Sequence, residues 1–242
     1  MSVYALSDLH GHYEIYEKVK VMLKPEDKVY FLGDACDRAP KEGDSWKCVK
    51  AIYHDPQFIY LLGNHEDMLV KACEDYLEYG TWSYDSYLLS YRNGGKDTMD
   101  SWERDQERES WVKRLRDLPT WDTYENKNGV VFVLCHAGLT PWLAEGTLDE
   151  CVIPNDEALI WDREHYLEDY DIDQMDNVIV VGGHTPAHYM SADLNIDWES
   201  GAFWYCNGHK VCIDSGGFFS GEFVLLDLDT LEDIIFTLDK KS

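Results

Sequence analysis

Basic residues are scarce in this chain. Lys and Arg number 21 against 47 Asp and Glu in 242 residues, and the net charge of -26 is spread along the length, not gathered in a tail. Phosphate backbones are held mainly by Lys and Arg, so this balance argues against a nucleic-acid partner and favours divalent cations at carboxylate sites. The seven cysteines are odd in number, unevenly spaced and without a Cys-x-x-Cys pair. A disulfide framework or zinc ribbon is therefore not expected, and a reducing cytoplasm fits. No apolar run approaches the roughly 20 residues that cross a bilayer. The chain opens directly into a strand-like segment, Val3-Tyr4-Ala5-Leu6, with no basic or long apolar stretch of a signal peptide. These absences predict a cytoplasmic protein with no membrane contact. Repeats, low-complexity tracts and linkers are also missing, and alternating α and β elements over residues 1–242 suit a single domain.

What is present is a set of strand-end motifs. Short apolar runs at Val3 to Leu6, Val29 to Leu32, Phe58 to Leu62, Val130 to Leu134 and Val178 to Val181 read as buried strands. Each stops just before residues that bind metal or phosphate: Ser7-Asp8-Leu9-His10-Gly11, Gly33-Asp34-Ala35-Cys36-Asp37-Arg38, Gly63-Asn64-His65-Glu66, Cys135-His136-Ala137-Gly138 and Gly182-Gly183-His184-Thr185-Pro186. Between them, residues such as Ile15, Val19 and Met22 recur at helical spacing. The rhythm predicts an α/β fold with a mainly parallel sheet whose carboxyl ends carry the ligand site.

Residues 74–128 differ, with Trp82, Trp102, Trp111 and Trp121 set among dense charges. They read as a helical insertion, broken at Asn93-Gly94-Gly95, that either packs its aromatic stripe on the core or caps the substrate. Beyond Trp198 the period shifts to two, and hairpin strands are expected at Ala202 to Tyr205, Val211 to Ile213, Phe223 to Leu228 and Ile234 to Leu238.

Asp8 and His10, two residues apart, would point the same way in extended chain and grip one cation. Carboxylate with imidazole suits manganese, iron or zinc better than calcium. Asp34 can bridge to a second ion, Asn64 adds an amide oxygen, and His136 and His184 follow further strands. Six side chains could thus hold two ions about 3.5–4 Å apart. His12, His54, His165, His188 and His209 lack such context, although His188 lies near enough to His184 to support it.

The five segments resemble the blocks of calcineurin-like metallophosphoesterases, in particular the serine/threonine phosphoprotein phosphatase branch, over roughly Val3 to Gly217. That resemblance implies a four-layer α/β/β/α sandwich, with mixed sheets and a helical insertion, and two divalent ions, Mn2+ first, with Fe or Zn as alternatives. It implies that Asp8, His10 and Asp34 hold one ion and that Asp34, Asn64, His136 and His184 hold the other. His65 matches the general acid, Asp37 the carboxylate that orients it, and Arg38 and Arg163 the phosphate clamps. The implied activity is a phosphatase acting on a phosphorylated substrate, a phosphoprotein or small phosphoester, by attack of a metal-bridging hydroxide. Asp214 resembles a structural aspartate in a late turn. Cys36 reads as buried filler or as an oxidation-sensitive thiol.

Two departures from the pattern bear on the substrate. Ala39-Pro40 stands where the family has glycine after Asp-Arg, and Leu62 stands where an arginine usually precedes Gly-Asn-His-Glu. The second resembles diadenosine tetraphosphatase relatives, so a symmetrical dinucleoside tetraphosphatase is the rival enzyme. A non-catalytic, metal-bearing protein that binds phosphorylated partners is the rival of another class.

Overall fold

Alternation along the strands sorts side chains into an inner and two outer layers. The computed structural model describes residues 1–139, 157–163, 166–167 and 177–238. One sheet joins β1 (Val3–Leu6), β2 (Lys28–Phe31) and β3 (Phe58–Tyr60) in parallel, with β9 (Glu222–Asp227) and β10 (Asp233–Thr237) antiparallel at the far edge, in the order β10-β9-β1-β2-β3. The other has the order β4-β5-β6-β8-β7, from β4 (Trp121–Glu125), β5 (Val131–Cys135), β6 (Val178–Gly182), β7 (Phe203–Tyr205) and β8 (Lys210–Cys212). Within it β5, β6 and β8 are parallel, and β4 and β7 run antiparallel.

Alternate residues of both sheets meet in one inner core. Val3 and Ala5 of β1, Phe132 and Leu134 of β5, Ile179 and Val181 of β6, and Val224 and Leu226 of β9 belong to it. The opposite face of the first sheet, with Val29, Phe31, Phe58 and Phe223, is covered by α1 (Tyr13–Met22), α2 (Asp44–His54), α3 (Asn64–Tyr79), α5 (Lys96–Arg104) and α6 (Arg108–Arg116). The outer face of the second sheet packs on α7 (Ala158–Trp161) and α8 (Ala187–Leu194), through Leu159 in one cluster and Ala187 and Met190 in another. The result is the expected four-layer α/β/β/α order, in mixed sheets.

Between β3 and β4 the chain is helical through α3, α4 (Tyr84–Arg92), α5 and α6. Trp102 and Trp111 are each 1% exposed and join the core beneath the first sheet. Their indole bulk is satisfied by rings such as Trp46, 5.2 Å from Trp111 at 71°, and by the Trp102 Nε1–H bond to the Arg108 carbonyl at 2.9 Å. Truncating either to alanine would cost about 3–5 kcal/mol. The aromatic stripe therefore packs on the core, but Trp121 to Glu125, read from sequence as part of the helical stretch, is strand β4, paired antiparallel with β5. As an edge strand it buries only part of each side chain, which leaves a weak period-two signal.

Among the described residues no helix is long and apolar enough to cross a membrane. The carboxyl ends of β1, β2, β3, β5, β6 and β8 converge, and the loops leaving them hold the motif residues.

Candidate active site

The loops at these strand ends share an unusual backbone. Asp8, His10, Asp34, Asp37, Arg38 and His184 all have left-handed φ values, between 44° and 68°. Each such conformation costs on the order of 1 kcal/mol or more for a residue with a side chain, so something must hold it. Backbone bonds do part of this: the amides of Asp8, His10 and Gly11 donate to the carbonyls of Gly33, Asp34 and Ala35 at 3.1, 2.9 and 2.8 Å, zipping the first loop to the second. Asp8 and His10 converge through these turns and not through extended chain, a correction to the simple two-residue alternation. His10 Nε2 ends 3.9 Å from Asp8 Oδ1. The missing glycine after Arg38 is accommodated because Asp37 and Arg38 themselves turn left-handed, with the Arg38 amide donating to the Gly94 carbonyl at 3.1 Å.

Glu66 organises the second and third loops. Fully buried in the first turn of α3, its carboxylate accepts from the amides of Asp34 and Ala35, each at 2.8 Å, from Gly63 at 3.1 Å and from the Tyr60 hydroxyl at 2.9 Å. The β2 and β3 loops touch so closely that a Cβ on Gly33, at φ +99°, would come within 2.5 Å of the Gly63 backbone.

Around Asp34 the donors close up. Its carboxylate oxygens lie 3.7 Å from His10 Nε2, 3.8 Å from His65 Nε2 and 3.4 Å from His136 Nε2. Two three-residue groups, His10–Asp34–His65 and Asp8–Asp34–His136, each bring their ligand atoms within 4.8 Å of one another, and both share Asp34. Asn64 Oδ1 is 2.9 Å from His136 Nε2 and 2.9 Å from His184 Nδ1. The structure thus gathers all six metal-ligand candidates in one buried cluster and brings His65 into it as well.

Carbonyl partners fix the imidazoles in a ligating form. His10 Nδ1 faces the Cys36 carbonyl at 3.1 Å and His136 Nδ1 faces the Leu32 carbonyl at 2.8 Å. A carbonyl only accepts, so each Nδ1 carries the proton and each Nε2 presents a lone pair inward. Burial lowers the pKa of both rings below the ordinary imidazole value, for His10 strongly, and so keeps them neutral. The lone pair of His136 Nε2 then faces the Asn64 carbonyl oxygen at 2.9 Å, an arrangement that a cation relieves.

The carboxylates carry the same message. Burial, reinforced by the neighbouring Asp8 charge, pushes the carboxyl groups of Asp34 and Asp214 well above their usual range. Anions held out of water are costly unless paired, and two divalent cations would supply the missing charge. The oxygen and imidazole donor set fits manganese, iron or zinc.

Beside this cluster His65 Nδ1 lies 2.7 Å from Asp37 Oδ2. Burial drives Asp37 up to about 7, opposed by the hydrogen bond from Thr98. Burial, with the charge of Arg38 second, lowers the His65 pKa well below its usual value. Arg38 forks across two histidines: Nη1 is 2.8 Å from His10 Nε2 and Nη2 is 2.9 Å from His65 Nε2. Arg163 is exposed just beyond α7, yet its charge reaches His65 and His136 and lowers both.

The other candidates take supporting places. Asp214 is buried and caps its own turn by accepting from the Gly216 amide at 2.7 Å. Cys36 is buried, with its thiol pushed well up by burial, and so stays protonated. His188 packs its ring on Tyr189 and Phe219, at 3.7 and 4.8 Å. His165 lies outside the described residues. Leu62 is buried, and its amide donates to the Pro119 carbonyl at 2.8 Å.

Sequence reasoning passed over Glu66, Thr98 and Phe218. The first was visible as a carboxylate three residues after the Gly63 that caps α3; the other two are distant in sequence, and no local signal marks them.

No curated protein matches the chain significantly. Among solved structures, a candidate diadenosine tetraphosphatase has TM-score 0.61 and 17% identity, covering 99% of this chain and 94% of the other. A cold-active protein-tyrosine phosphatase of a psychrophilic Shewanella has TM-score 0.55 and 17% identity, covering 98% and 80%. A protein serine/threonine phosphatase of Saccharomyces cerevisiae, with similarity to human phosphatase PP5, has TM-score 0.53 and 15% identity, covering 100% and 81%. Identities this low establish the shared fold alone. Residues 1–212, which include every strand-end motif gathered above, match the calcineurin-like phosphoesterases as a family, and the chain belongs to that family.

Proposed function

We propose that this chain is a dinuclear-metal phosphomonoesterase with a site built like that of the serine/threonine protein phosphatases. Asp8, His10 and Asp34 would hold one divalent cation, and Asp34, Asn64, His136 and His184 the other. Two cations so held supply a water acidic enough to serve as nucleophile near neutral pH and offset charge on the phosphoryl oxygens. The observation that carries the reading is the convergence of the donors on Asp34: two three-donor groups share it, His10–Asp34–His65 and Asp8–Asp34–His136, which divide the donors differently from the assignment above and draw in His65, itself bonded to Asp37 at 2.7 Å.

The chain's own residues do the rest. Arg38 offers two N–H groups toward the centre, and turning them onto a phosphoryl group gives a bidentate clamp. That movement also takes a donor away from His65 Nε2, which accepts from Arg38 at rest. With the guanidinium charge neutralised by phosphate, the main electrostatic lowering of the His65 pKa is relieved. His65 can then carry a proton on Nε2 and give it to the leaving oxygen, while Asp37 keeps hold of Nδ1–H. Arg163, exposed at the rim, is the second clamp.

The test is hydrolysis by the purified protein with Mn2+ of p-nitrophenyl phosphate and of a phosphopeptide, with metal content measured on the same sample. About two metal equivalents and release of inorganic phosphate are expected. Two metals without hydrolysis of any monoester would instead favour the non-catalytic reading, against which the intact His65–Asp37 pair counts.

Leu62 favours a second enzyme reading, a symmetrical dinucleoside tetraphosphatase. It fills with a buried apolar side chain the place where an arginine usually precedes Gly-Asn-His-Glu in the protein phosphatases that the motifs resemble. Faster turnover of diadenosine tetraphosphate than of monoesters would establish it.

A further inference from the structure

Large apolar side chains exposed side by side are uncommon on a soluble surface, and a contiguous set beside a catalytic centre calls for an occupant. Phe218, Phe219 and Tyr189 are 40%, 50% and 56% exposed. They form one train of rings leading out of the site. The Arg38 guanidinium carbon lies 4.5 Å from the Phe218 ring centre, Phe218 meets His10 edge-on at 5.5 Å and Phe219 at 4.8 Å, and His188 links Phe219 to Tyr189.

The train is anchored from below. Gly216 sits at φ +73°, and a Cβ there would fall 2.2 Å from the Phe219 ring, so that ring rests on bare backbone. A Cβ on Gly217 would meet the buried Phe223 ring at 2.3 Å, which presses α9 (Gly217–Ser220) onto the core. The rings are thus fixed on one side and open to solvent on the other.

We propose that Phe218, backed by Phe219, is a shelf for a planar aromatic leaving group, so that the site prefers aryl phosphomonoesters of the phosphotyrosine type to alkyl ones such as phosphoserine. This rests on the phosphomonoesterase reading and narrows it. Position selects the occupant: Phe218 touches a metal-ligand candidate and the phosphate-clamping arginine, so its reach covers the group one ester oxygen from phosphorus. A nucleobase stands a whole ribose further out. When Arg38 turns to the phosphoryl oxygens, the ring face it covers opens beside that oxygen. Charge points the same way, since a chain at -26 receives a neutral ring more readily than a run of further phosphates. In the reaction the bond from phosphorus to the aryl oxygen breaks, a bond to a water oxygen forms, and the phenol leaves with one of the water protons.

The experiment compares kcat/KM for a phosphotyrosine peptide and the same peptide carrying phosphoserine, in wild type, Phe218→Leu and Phe218→Tyr, all with Mn2+. Leucine keeps the bulk and removes the flat face. The aryl-to-alkyl ratio should fall about 5- to 10-fold in Phe218→Leu, the worth of one aromatic pair, and persist in Phe218→Tyr. An unchanged ratio, or an equal loss on both peptides, overturns the shelf and leaves Phe218 as support for Arg38. No hydrolysis of either peptide or of p-nitrophenyl phosphate by wild type defeats the underlying phosphomonoesterase reading. Inhibition of wild type needs no variant to fold: benzylphosphonate should bind several-fold tighter than cyclohexylmethylphosphonate, and equal inhibition overturns the shelf independently.

Discussion

Thr98 grips Asp37 twice. Its hydroxyl donates to Asp37 Oδ1 at 2.6 Å and accepts from the Asp37 amide at 3.1 Å, across 61 residues of sequence and inside the core. The helical stretch between β3 and β4 therefore does more than cover the sheet: through α5 it sets the carboxylate that orients His65.

Replacing Thr98 by valine keeps the shape and removes both bonds. A hydrogen bond to a charged group is worth about 1.5–3 kcal/mol, so kcat should fall on the order of 10- to 100-fold. Without that donor the Asp37 pKa rises further above about 7, and the acidic limb of the kcat–pH profile moves upward. Thr98→Ser should restore both. A valine variant with the wild-type profile would remove Thr98 from the positioning of Asp37.

His65→Asn should lower turnover by two orders of magnitude or more, because the proton donor is gone, while metal content measured by mass spectrometry stays near wild type. His65 Nε2 lies 3.8 Å from Asp34 Oδ2, so the metal measurement decides between an acid and a ligand. Loss of one metal equivalent would make His65 a ligand.

Glu66→Ala should be among the most damaging changes in the chain. It orphans the buried amides of Asp34, Ala35 and Gly63 together, and each unpaired group costs about 1–3 kcal/mol. Denaturant unfolding should show a loss of at least about 3 kcal/mol, and the loop carrying Asp34 should lose its metal. A loss below about 1 kcal/mol would mean that water takes over these bonds.

Metal removal should expose the cost of the buried carboxylates. Asp34 and Asp214 have raised folded pKa values and Asp37 is raised to about 7. A carboxyl group raised on folding resists ionisation, so stability is lost as pH climbs from the unfolded value near 4 through the folded one. The thermal midpoint of the metal-free protein should fall between about pH 5 and 8, and the rise on adding Mn2+ should be larger at pH 8 than at pH 5. A Mn2+ shift independent of pH would show that metal binding releases no protons from these groups.

Much of this was readable from the chain because the motif residues sit at strand ends, where a buried apolar run stops abruptly at a polar group. The runs ending at Leu6, Leu134 and Val181 are covered on both faces, so they stand out without any need for a period. Trp121 to Glu125 lacks that contrast: it lies at a sheet edge, half exposed, and reads like the charged helices before it. Thr98 and Phe218 were silent for another reason. Their roles exist only once α5 and α9 are folded against loops about 60 and 180 residues away, respectively, and no local pattern encodes such a meeting.

The left-handed turns at Asp8, His10, Asp34, Asp37 and His184 carry one more implication. Aspartate, asparagine and histidine tolerate that conformation better than other residues with side chains, and they are also good ligands for hard and borderline cations. Chain stereochemistry and coordination chemistry thus filter for the same short alphabet. Under the proposed assignment, an exchange that keeps the carboxylate, such as Asp34→Glu, still adds about 1–2 kcal/mol of backbone cost at the left-handed turn, and anyone grafting this centre onto another scaffold must transplant the bends before the donors.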